Sequence, residues 1–397
     1  MKSFRTITPH DMRIINRTAV LEIIRTEGPV SRVRIAGALK LSLPSVVRIV
    51  DGLREENLVR PSGEDEFSGG RRRPLLEINA SENLAIGIDL GGTKAYGAVC
   101  DLNGGILFER SVDHHGTMGE DSYEVVRKLI GALLDDAGDS RSGIRGVGIG
   151  VPGVTDPEEG VVRLAPGLEW KDFPLRERVV KDFGLASIVD NDVNSAVLGE
   201  MWFGHGKNIS NLVLVALGTG IGAAMILEGV LYRGSHLFAG EIGYIPWSRE
   251  CLDEKYDGFG PLEQVAAGSG IAERARRIVK ENPPGDIAGA LTAQDVFEAC
   301  ARREDWAEKM VEEVADYLAM ALISICAVAD PEKIVIGGGI SRSADMFLGR
   351  VRSRMDGRIP HMPDIAVSDL RERGTVLGAM INLLHLSSDY CVVRSLS

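Results

Sequence analysis

The sequence predicts an α/β protein built from an N-terminal winged helix-turn-helix and a body of two α/β lobes. Residues 1–80 contain short helical patterns separated by tight turns and end in a hairpin pattern. From residue 84 onward, buried strand patterns run into glycine-rich turns, and this arrangement occurs twice in tandem. We therefore expect a head at residues 1–80, a first lobe at 81–198 and a second lobe at 199–397, with a C-terminal helix that packs back on the first lobe.

The charge of the chain is unevenly distributed. Its 397 residues carry a net charge of −12, which argues against nucleic-acid binding by the whole surface. Residues 1–80 hold 14 Lys and Arg against 10 Asp and Glu, a net charge of +4, so the remainder carries −16. A basic head on an acidic body favours DNA binding that is confined to the N-terminal part.

Cysteine usage and hydropathy place the chain in a reducing, aqueous compartment. The five cysteines are widely spaced and form no CxxC pair, which predicts neither a disulfide framework nor a zinc site. The N-terminus lacks the apolar core of a signal peptide. The most apolar helical pattern, residues 317–329, is too short to span a bilayer. We expect a cytoplasmic protein without membrane contact.

The head shows the pattern of a helix-turn-helix. A helical stripe ends at Gly28-Pro29, and Ser31 stands where the N-cap of a second helix belongs. The predicted inward faces of the second and third helices are Val33, Ile35, Ala36 and Leu39, and Val46, Ile49, Val50 and Leu53. This leaves Ser45, Val47 and Arg48 facing outward near the start of the third helix, where they are candidates for contact with base edges. A three-helix bundle unrelated to DNA is the alternative.

A basic segment at the tip of the predicted hairpin supports the DNA-binding interpretation. Gly69-Gly70 precede Arg71, Arg72 and Arg73, and the hairpin returns through residues 75–78. Arginines on a flexible glycine base can enter a narrow minor groove or bind phosphates. The alternative is a solvated run of charge.

Three glycine turns in the body, at residues 89–94, 217–222 and 337–339, predict contacts with phosphate groups. Glycines allow backbone N–H groups to approach phosphate oxygens, and threonine hydroxyls add donors. Asp89, at the end of a strand, could hold a hydrated Mg²⁺ that bridges phosphates. One such turn alone would also fit an ordinary hairpin, but three at these spacings favour a nucleotide site. The candidate nucleotide-binding residues are Asp89, Gly91, Gly92, Thr93, Lys94, Gly218, Thr219, Gly220, Gly338 and Gly339.

Another candidate site lies where a predicted strand passes into a helix, at Asp190-Asn191-Asp192-Val193-Asn194. Asp192 could accept the proton of a substrate hydroxyl as that hydroxyl attacks phosphorus. Aspartate is also a common helix N-cap. The segment alone leaves both roles open.

These motifs together resemble the ROK family of repressors, open reading frames and sugar kinases, over nearly the whole chain. The resemblance rests on the first two glycine turns, on the Asp190–Asn194 segment, and on Gly150-Val151-Pro152-Gly153, Ala239-Gly240-Glu241-Ile242-Gly243 and Gly337-Gly338-Gly339. The head is similar to that of the repressor branch, which includes xylose and N-acetylglucosamine repressors. The resemblance implies an actin/hexokinase-like fold for the two lobes.

The resemblance also implies roles for individual residues. Asp192 matches the catalytic base of the kinase members, and the implied sugar-binding residues are Gly153, Asn191, Asp192, Glu241, Tyr244 and Glu263. The chain departs from the family where a zinc site is usual. Tyr244 replaces a histidine, and Cys251 is the single thiol between residues 245 and 261. No zinc is therefore expected. Gly167 replaces an asparagine that is common in the family.

The sequence thus predicts a sugar-responsive transcriptional repressor. Its expected partners are operator DNA and a sugar or sugar phosphate held between the lobes, and the expected assembly is a homodimer or a dimer of dimers. The alternative is an ATP-dependent sugar kinase, similar to glucokinase or N-acetylglucosamine kinase, that carries a DNA-binding head. ATP and magnesium are expected only if kinase activity is retained. A structural filament protein is disfavoured by the head and the sugar motifs.

Overall fold

The computed structural model describes residues 9–64, 74–114, 116–256, 258–281 and 291–387. Within these ranges the chain forms a head and two lobes, in the order that the sequence predicts. None of the helices in the described ranges combines the length and apolarity that crossing a membrane requires.

The head is a winged helix-turn-helix in its described part. Ser31 and Ser42 cap its second and third helices by accepting the N–H groups of Arg34 and Ser45, and residues 40–42 make the turn between these helices. The strands form an antiparallel sheet in the order β1-β3-β2. The elements of the head are α1 (Pro9–Glu27), β1 (Val30–Ser31), α2 (Arg32–Leu39), α3 (Leu43–Glu55), β2 (Val59–Glu64) and β3 (Pro74–Ile78).

The core of the head contains most of the predicted apolar residues, among them Ile35, Val46, Val50 and Leu53, which are fully buried. The prediction for Val33 was wrong, since this side chain is 41% exposed. Residues two apart in a helix point about 200° away from each other, so Val33 cannot share the buried face of Ile35.

The first lobe is built on a five-stranded sheet in the order β11-β7-β4-β5-β6. A smaller sheet, β10-β9-β8, was not predicted, because its strands of three to five residues are too short to show a clear periodicity. The elements are β4 (Leu84–Leu90), β5 (Lys94–Asp101), β6 (Ile106–Asp113), α4 (Glu120–Ala137), β7 (Ile144–Val151), β8 (Val154–Asp156), β9 (Val161–Ala165), β10 (Trp170–Phe173), α5 (Leu175–Phe183), β11 (Ala186–Asn191) and α6 (Asp192–Phe203).

The second lobe repeats the topology of the first. Its sheet has the order β14-β13-β12-β15-β16, and both sheets have two antiparallel pairs on one side of the first strand of the lobe (β4 or β12) and two parallel pairs on the other side. The elements are β12 (Leu212–Leu217), β13 (Ile221–Leu227), β14 (Val230–Tyr232), α7 (Pro261–Ala266), α8 (Gly268–Glu281), α9 (Ala293–Ala301), α10 (Asp305–Ala329), β15 (Lys333–Gly337), α11 (Ala344–Met355), β16 (Asp364–Val367) and α12 (Arg373–Ser387).

Helix α12 lies against β4, β7 and α6, and so joins the end of the chain to the first lobe. Glycines permit this close approach. A Cβ atom on Gly148 would stand 2.1 Å from the Ala379 carbonyl oxygen, and one on Gly378 would stand 1.6 Å from that of Ser195. The predicted lobe boundary after residue 198 falls inside α6, while the two large sheets end and begin at Asn191 and Leu212.

Candidate functional site

The carboxyl ends of three parallel strands form one edge of the first-lobe sheet. Asp89, near the end of β4, and Asp190, near the end of β11, are both in register with Gly150 of β7. Helix α6 starts at this edge, directly after β11. Ligands of open α/β sheets bind at such an edge, because the loops and helix starts that follow the strands surround a crevice there.

Asn191 is the N-cap of α6. Its Oδ1 accepts the N–H groups of Val193 and Asn194 at 2.9 and 3.0 Å, and its Nδ2 donates to the Gly153 carbonyl at 3.0 Å. The alternative role of Asp192 as the N-cap is therefore wrong. Asp192 is the first helical residue, and its carboxylate accepts the adjacent N–H of Val193.

Asp190 is a buried acid next to Asn191 that was not predicted as a functional residue. Asp190 is almost fully buried and forms an ion pair with Arg233 at 2.5 Å. It also accepts an N–H of Asn382 at 2.7 Å and the backbone N–H of Asn191 at 2.8 Å. Asp190 therefore connects the first lobe to the segment after β14 and to α12. The sequence signal for Asp190 was its place in the Asp190–Asn194 segment. No sequence pattern pointed to its two distant partners, Arg233 and Asn382.

The second lobe contributes two further carboxylates. Glu263 accepts the N–H groups of Ile221 and Gly260 at 3.0 and 2.9 Å, which orients its side chain toward the β12–β13 turn. Glu241 lies close enough to Asp192 and Glu263 for their negative charges to raise its pKa. The site thus collects Asp192 from one lobe and Glu241 and Glu263 from the other.

Withdrawal from water changes the acidity of these groups. Burial raises the pKa of Asp192 to about 6, and burial together with repulsion from Asp192 and Glu263 raises the pKa of Glu241 to about 7. Burial, with repulsion from Asp192 and Glu372, raises the pKa of Asp89 to about 8. Burial also raises the pKa of Glu263. Carboxylates that titrate near neutrality can accept hydrogen bonds or a proton from a sugar hydroxyl.

Tyr244 ends the short 3-10 helix Ile242–Tyr244 that follows Glu241, and it is 38% exposed. Its hydroxyl donates to the Gly258 carbonyl at 3.0 Å, and its ring centroid is 5.4 Å from that of Phe238. Cys251 is buried, with its Sγ atom 3.7 Å from Ser248 Oγ. Among the described residues, no group of three or more His, Cys, Asp and Glu could hold a metal ion.

The structure brings together the predicted phosphate turns of the second lobe. The Gly268 N–H donates to the Gly218 carbonyl at 2.8 Å, and the Ser269 hydroxyl donates to the Thr219 carbonyl at 2.8 Å, so α8 starts beside this turn. A Cβ atom on Gly338, where φ is +81°, would stand 2.4 Å from the Leu217 carbonyl oxygen. Gly220 leaves room for Glu263, whose Oε1 would lie 2.5 Å from a Cβ atom there.

The first-lobe turn between β4 and β5 is held by a hydrogen bond within the turn and by contacts with His114. The Gly91 N–H donates to the Lys94 carbonyl at 2.9 Å, and His114 Nε2 lies 2.9 Å from the Gly91 carbonyl oxygen. The backbone N–H of His114 donates to the Thr93 carbonyl at 2.9 Å. A Cβ atom on Gly92 would meet open space.

Two unpredicted charged residues connect this turn to the second lobe. Lys94 Nζ lies 3.2 Å from Glu372, and the other carboxylate oxygen of Glu372 accepts from Arg342 at 2.6 Å. Arg342 follows the Gly338–Gly339 turn, so this chain of ion pairs crosses from one lobe to the other. Lys94 is thus bound to a carboxylate at the position where a phosphate is predicted.

A candidate DNA interface lies on α3. Val47 and Arg48 are exposed, together with Leu43 and Pro44, which were not predicted. The Ser45 hydroxyl lies 2.8 Å from that of Ser42. Exposed apolar groups beside an arginine suit the thymine methyl and guanine edge of the major groove. The predicted contacts Arg71, Arg72 and Arg73 lie outside the described residues.

Comparisons with known proteins identify a family and individual relatives that are similar to this chain. The profile of the ROK family matches residues 85–385. A putative xylose repressor of Caldicellulosiruptor sp. (strain Rt8B.4) is 30% identical over 378 residues, which cover 92% of this chain and 94% of that protein. A glucokinase of Halalkalibacterium halodurans is 33% identical over 315 residues, which cover 76% of this chain and 94% of that protein.

A solved structure is similar over almost the full length. It is a crystal structure of a ROK family transcriptional regulator, a homologue of the E. coli MLC protein, with a TM-score of 0.81 and 24% sequence identity. The alignment covers 95% of this chain and 97% of the other. At this identity the similarity establishes the fold alone.

The fold and the cleft define a class of proteins: an actin/hexokinase-like body of two repeated lobes that carries a winged helix-turn-helix head. Within this class, the chain belongs to the ROK family.

Proposed function

We propose that the chain is a sugar-responsive transcriptional repressor. Residues 1–80 bind operator DNA, and the cleft between the lobes binds a sugar or sugar phosphate. The observation that carries the proposal is the combination, in one chain, of an exposed helix-turn-helix face on α3 with a cleft lined by Asp192, Glu241 and Glu263. The relative that matches 92% of the chain is a putative xylose repressor, which supports the same function.

The cleft offers the hydrogen-bond acceptors that sugar hydroxyls require. We infer that Asp192, Glu241 and Glu263 bind hydroxyl groups from opposite lobes, with Asn191 held in place by the Gly153 carbonyl. Tyr244 borders the site and restricts its size. Because the ligand contacts both lobes, it favours a closed cleft, and this differential affinity is what can change the affinity for DNA. Paired heads on a palindromic operator imply a homodimer or a dimer of dimers.

Fluorescence anisotropy tests the proposal. The wild-type protein selects duplexes from a random-sequence pool, and binding is then measured with xylose, glucose, N-acetylglucosamine and their phosphates. We expect at least one of these ligands to weaken duplex binding tenfold or more. A protein that selects no duplex, or that responds to none of these ligands, would contradict the proposal.

The same assay tests the predicted wing contacts. Replacing Arg71, Arg72 and Arg73 with Ala removes three phosphate-neutralising charges, so binding weakens for all duplexes and the slope of log K against log[salt] becomes less negative by about 3. The matched control replaces Arg127, Lys128 and Lys171, which are exposed on the first lobe. Equal effects of the two triple variants would refute the wing assignment.

A sugar kinase is the second candidate, and the position of Asp192 favours it. Asn191 takes the capping role, which leaves the Asp192 carboxylate available as a base toward a sugar hydroxyl. ATP and magnesium belong to this candidate alone. Gly92 and Gly339 leave room for phosphates and Asp89 could contact a hydrated ion, but Glu372 already pairs with Lys94. Coupled measurement of ADP with ATP and the same sugars separates the two candidates, and Asp192→Asn abolishes any kinase turnover.

A further inference from the structure

The first-lobe sheet has one end at the cleft and the opposite end at the head. Strand β7 runs from Ile144 to Val151 and leads into the loop of Gly153, while α6 begins at Asp192 and runs away from the cleft to Phe203. Eight strand residues span roughly 26 Å and twelve helical residues span roughly 18 Å. Both elements are therefore long enough to connect the sugar site to a distant surface.

The far end of β7 is bonded to the end of helix α3. Arg145, the second residue of β7, donates from Nη2 to the Glu56 carbonyl at 2.8 Å and from Nε to Asn83 Oδ1. Glu56 is the C-cap of α3. Asn83, which is fully buried, donates in turn to the Asn57 carbonyl at 2.8 Å. The turn that follows the candidate recognition helix is thus attached to the strand that leads to Gly153.

The far end of α6 is packed against the first helix of the head. The guanidinium group of Arg25 lies 4.4 Å from the ring centroid of the buried Trp202 and 5.9 Å from that of Phe203. Glu22 accepts two hydrogen bonds from the same guanidinium group, at 2.7 and 3.0 Å. The pairing holds the plane of the cation over the ring, where the attraction between a cation and an aromatic face is strongest.

A third element shows the same arrangement. Strand β5 starts at Lys94, in the first glycine turn, and ends at Asp101. The next residue, Leu102, is buried in the hydrophobic core of the head, in the same cluster as Ile24 and Leu76. Three elements that start or end at the cleft therefore reach the head at their other ends.

We propose that the head and the first lobe move as one body and that Arg145 and Arg25 are the positioning residues that transmit cleft closure to the operator-binding surface. This inference rests on the proposed sugar response. Strands and helices with complete backbone hydrogen bonding resist bending, so a rotation of the first lobe at the cleft displaces its far end together with α3. If these two contacts are lost, fewer bonds connect the head to the first lobe. The orientation of the head then no longer follows the rotation of the lobe.

The experiment compares Arg145→Ala and Arg25→Ala with wild type, using a duplex that the wild-type protein selects and the sugar from the panel that weakens wild-type binding. We expect the sugar to weaken duplex binding by the wild-type protein tenfold or more. We expect it to weaken duplex binding by either variant less than threefold. The sugar affinity of the DNA-free variants should stay within threefold of that of the wild-type protein. By reciprocity of linkage, the duplex also stops affecting sugar affinity in the variants. Arg141→Ala, an exposed arginine four residues from Arg145, keeps the wild-type response.

A sugar response that persists unchanged in both variants overturns the proposal. Arg25→Lys, which keeps the charge but loses the planar stacking group, replaces Arg25→Ala if the latter does not fold. Hydrogen exchange in the sugar-free proteins tests the attachment without any ligand. Exchange of the Asn57 and Leu58 amides, which bond to the end of α3, speeds at least fivefold in Arg145→Ala. An unchanged rate also overturns the proposal, whereas a wild-type protein that responds to no sugar refutes the proposed function instead.

Discussion

The two lobes share one sheet topology but supply different chemistry. In the first lobe, strand ends carry side chains: Asp89, Asn191 and Asp192 stand at one sheet edge. In the second lobe, the turns after β12 and β15 are rich in glycine, as is the turn after β4 in the first lobe, and the acids Glu241 and Glu263 come from segments outside the sheet. The first lobe also carries the head. The comparison teaches that a repeated scaffold sets where a cleft forms, while residues added at strand ends and in loops decide what each half does there.

The contacts of Asp190 join the two lobes, and their loss should have the largest effect on the free energy of unfolding. Asp190→Ala removes the buried partner of Arg233 and Asn382, and breaking such a pair from one side costs about 3–5 kcal/mol. We expect a loss of about 3 kcal/mol in the free energy of unfolding, measured by urea denaturation. Asp172→Asn, which removes an exposed ion pair with Arg163 and keeps a residue type that tolerates the positive φ of +47° at this position, serves as the control and changes stability by less than about 0.5 kcal/mol. A loss below about 1 kcal/mol for Asp190→Ala would show that the joint is not needed for folding.

The acids of the two lobes can be compared directly through sugar affinity. Asp192→Asn and Glu263→Gln each remove a charged acceptor, and a hydrogen bond to a charged group contributes about 1.5–3 kcal/mol. We therefore expect each variant to weaken sugar binding by tenfold or more in calorimetry. The control is Glu169→Gln, because Glu169 is exposed. Glu200 would not serve as a control, because it is buried and accepts a hydrogen bond from Ser368. If only one lobe's variant has an effect, the ligand does not bridge the lobes.

Asp89 should make the free energy of unfolding depend on pH, because withdrawal from water raises its pKa. Because the pKa of Asp89 is about 8 in the folded chain against 3.8 without the fold, the folded state holds more protons between pH 4 and pH 8. Stability attributable to this group therefore falls as pH rises through that range. Asp89→Asn removes this dependence and is more stable than wild type at pH 8 by at least about 1 kcal/mol. The exposed Asp113→Asn leaves the pH profile of unfolding unchanged. A wild-type profile in Asp89→Asn would refute the raised pKa.

The smallest effect concerns the second-lobe loop. Tyr244→Phe removes the hydrogen bond to the Gly258 carbonyl but keeps the ring beside Phe238. A single neutral hydrogen bond contributes about 0.5–1.5 kcal/mol, and partial exposure places this one at the low end. Thermal unfolding should therefore shift by only a few degrees for Tyr244→Phe and further for Tyr244→Ala, which also loses the ring contact. Equal shifts for both variants would mean that the hydroxyl, rather than the ring, holds the loop.

Local patterns in the sequence predicted much of this structure. The Ser31 cap, the strands that lead into Gly91 and Gly218, and the helix after Asn191 all depend on neighbours within a few residues, and all are present. The prediction for Val33 was wrong because this residue stands about 200° around the helix from the buried Ile35. That Asn191 rather than Asp192 is the N-cap was not predictable, because both residue types cap helices equally well.

Contacts between distant segments were invisible in the sequence. The partners of Asp190 lie 43 and 192 residues away, and the pairing of Lys94 with Glu372 spans 278 residues. Charged residues carry no periodic signal that would link them to distant partners, and any of the 45 Lys and Arg residues was an available ion-pair partner.

The sequence by itself determined the order of head and lobes, the glycine turns and the acids available for a sugar. These features follow from short-range backbone preferences and hydrophobic periodicity, which act wherever the residues occur. The tertiary structure alone decided that Glu372 neutralises Lys94, that Asp190 joins the two lobes, and that Arg145 and Arg25 attach the head to elements that reach the cleft. Such pairings depend on which surfaces chain folding brings within a few ångströms, because the strength of a hydrogen bond or an ion pair falls steeply with distance and exposure.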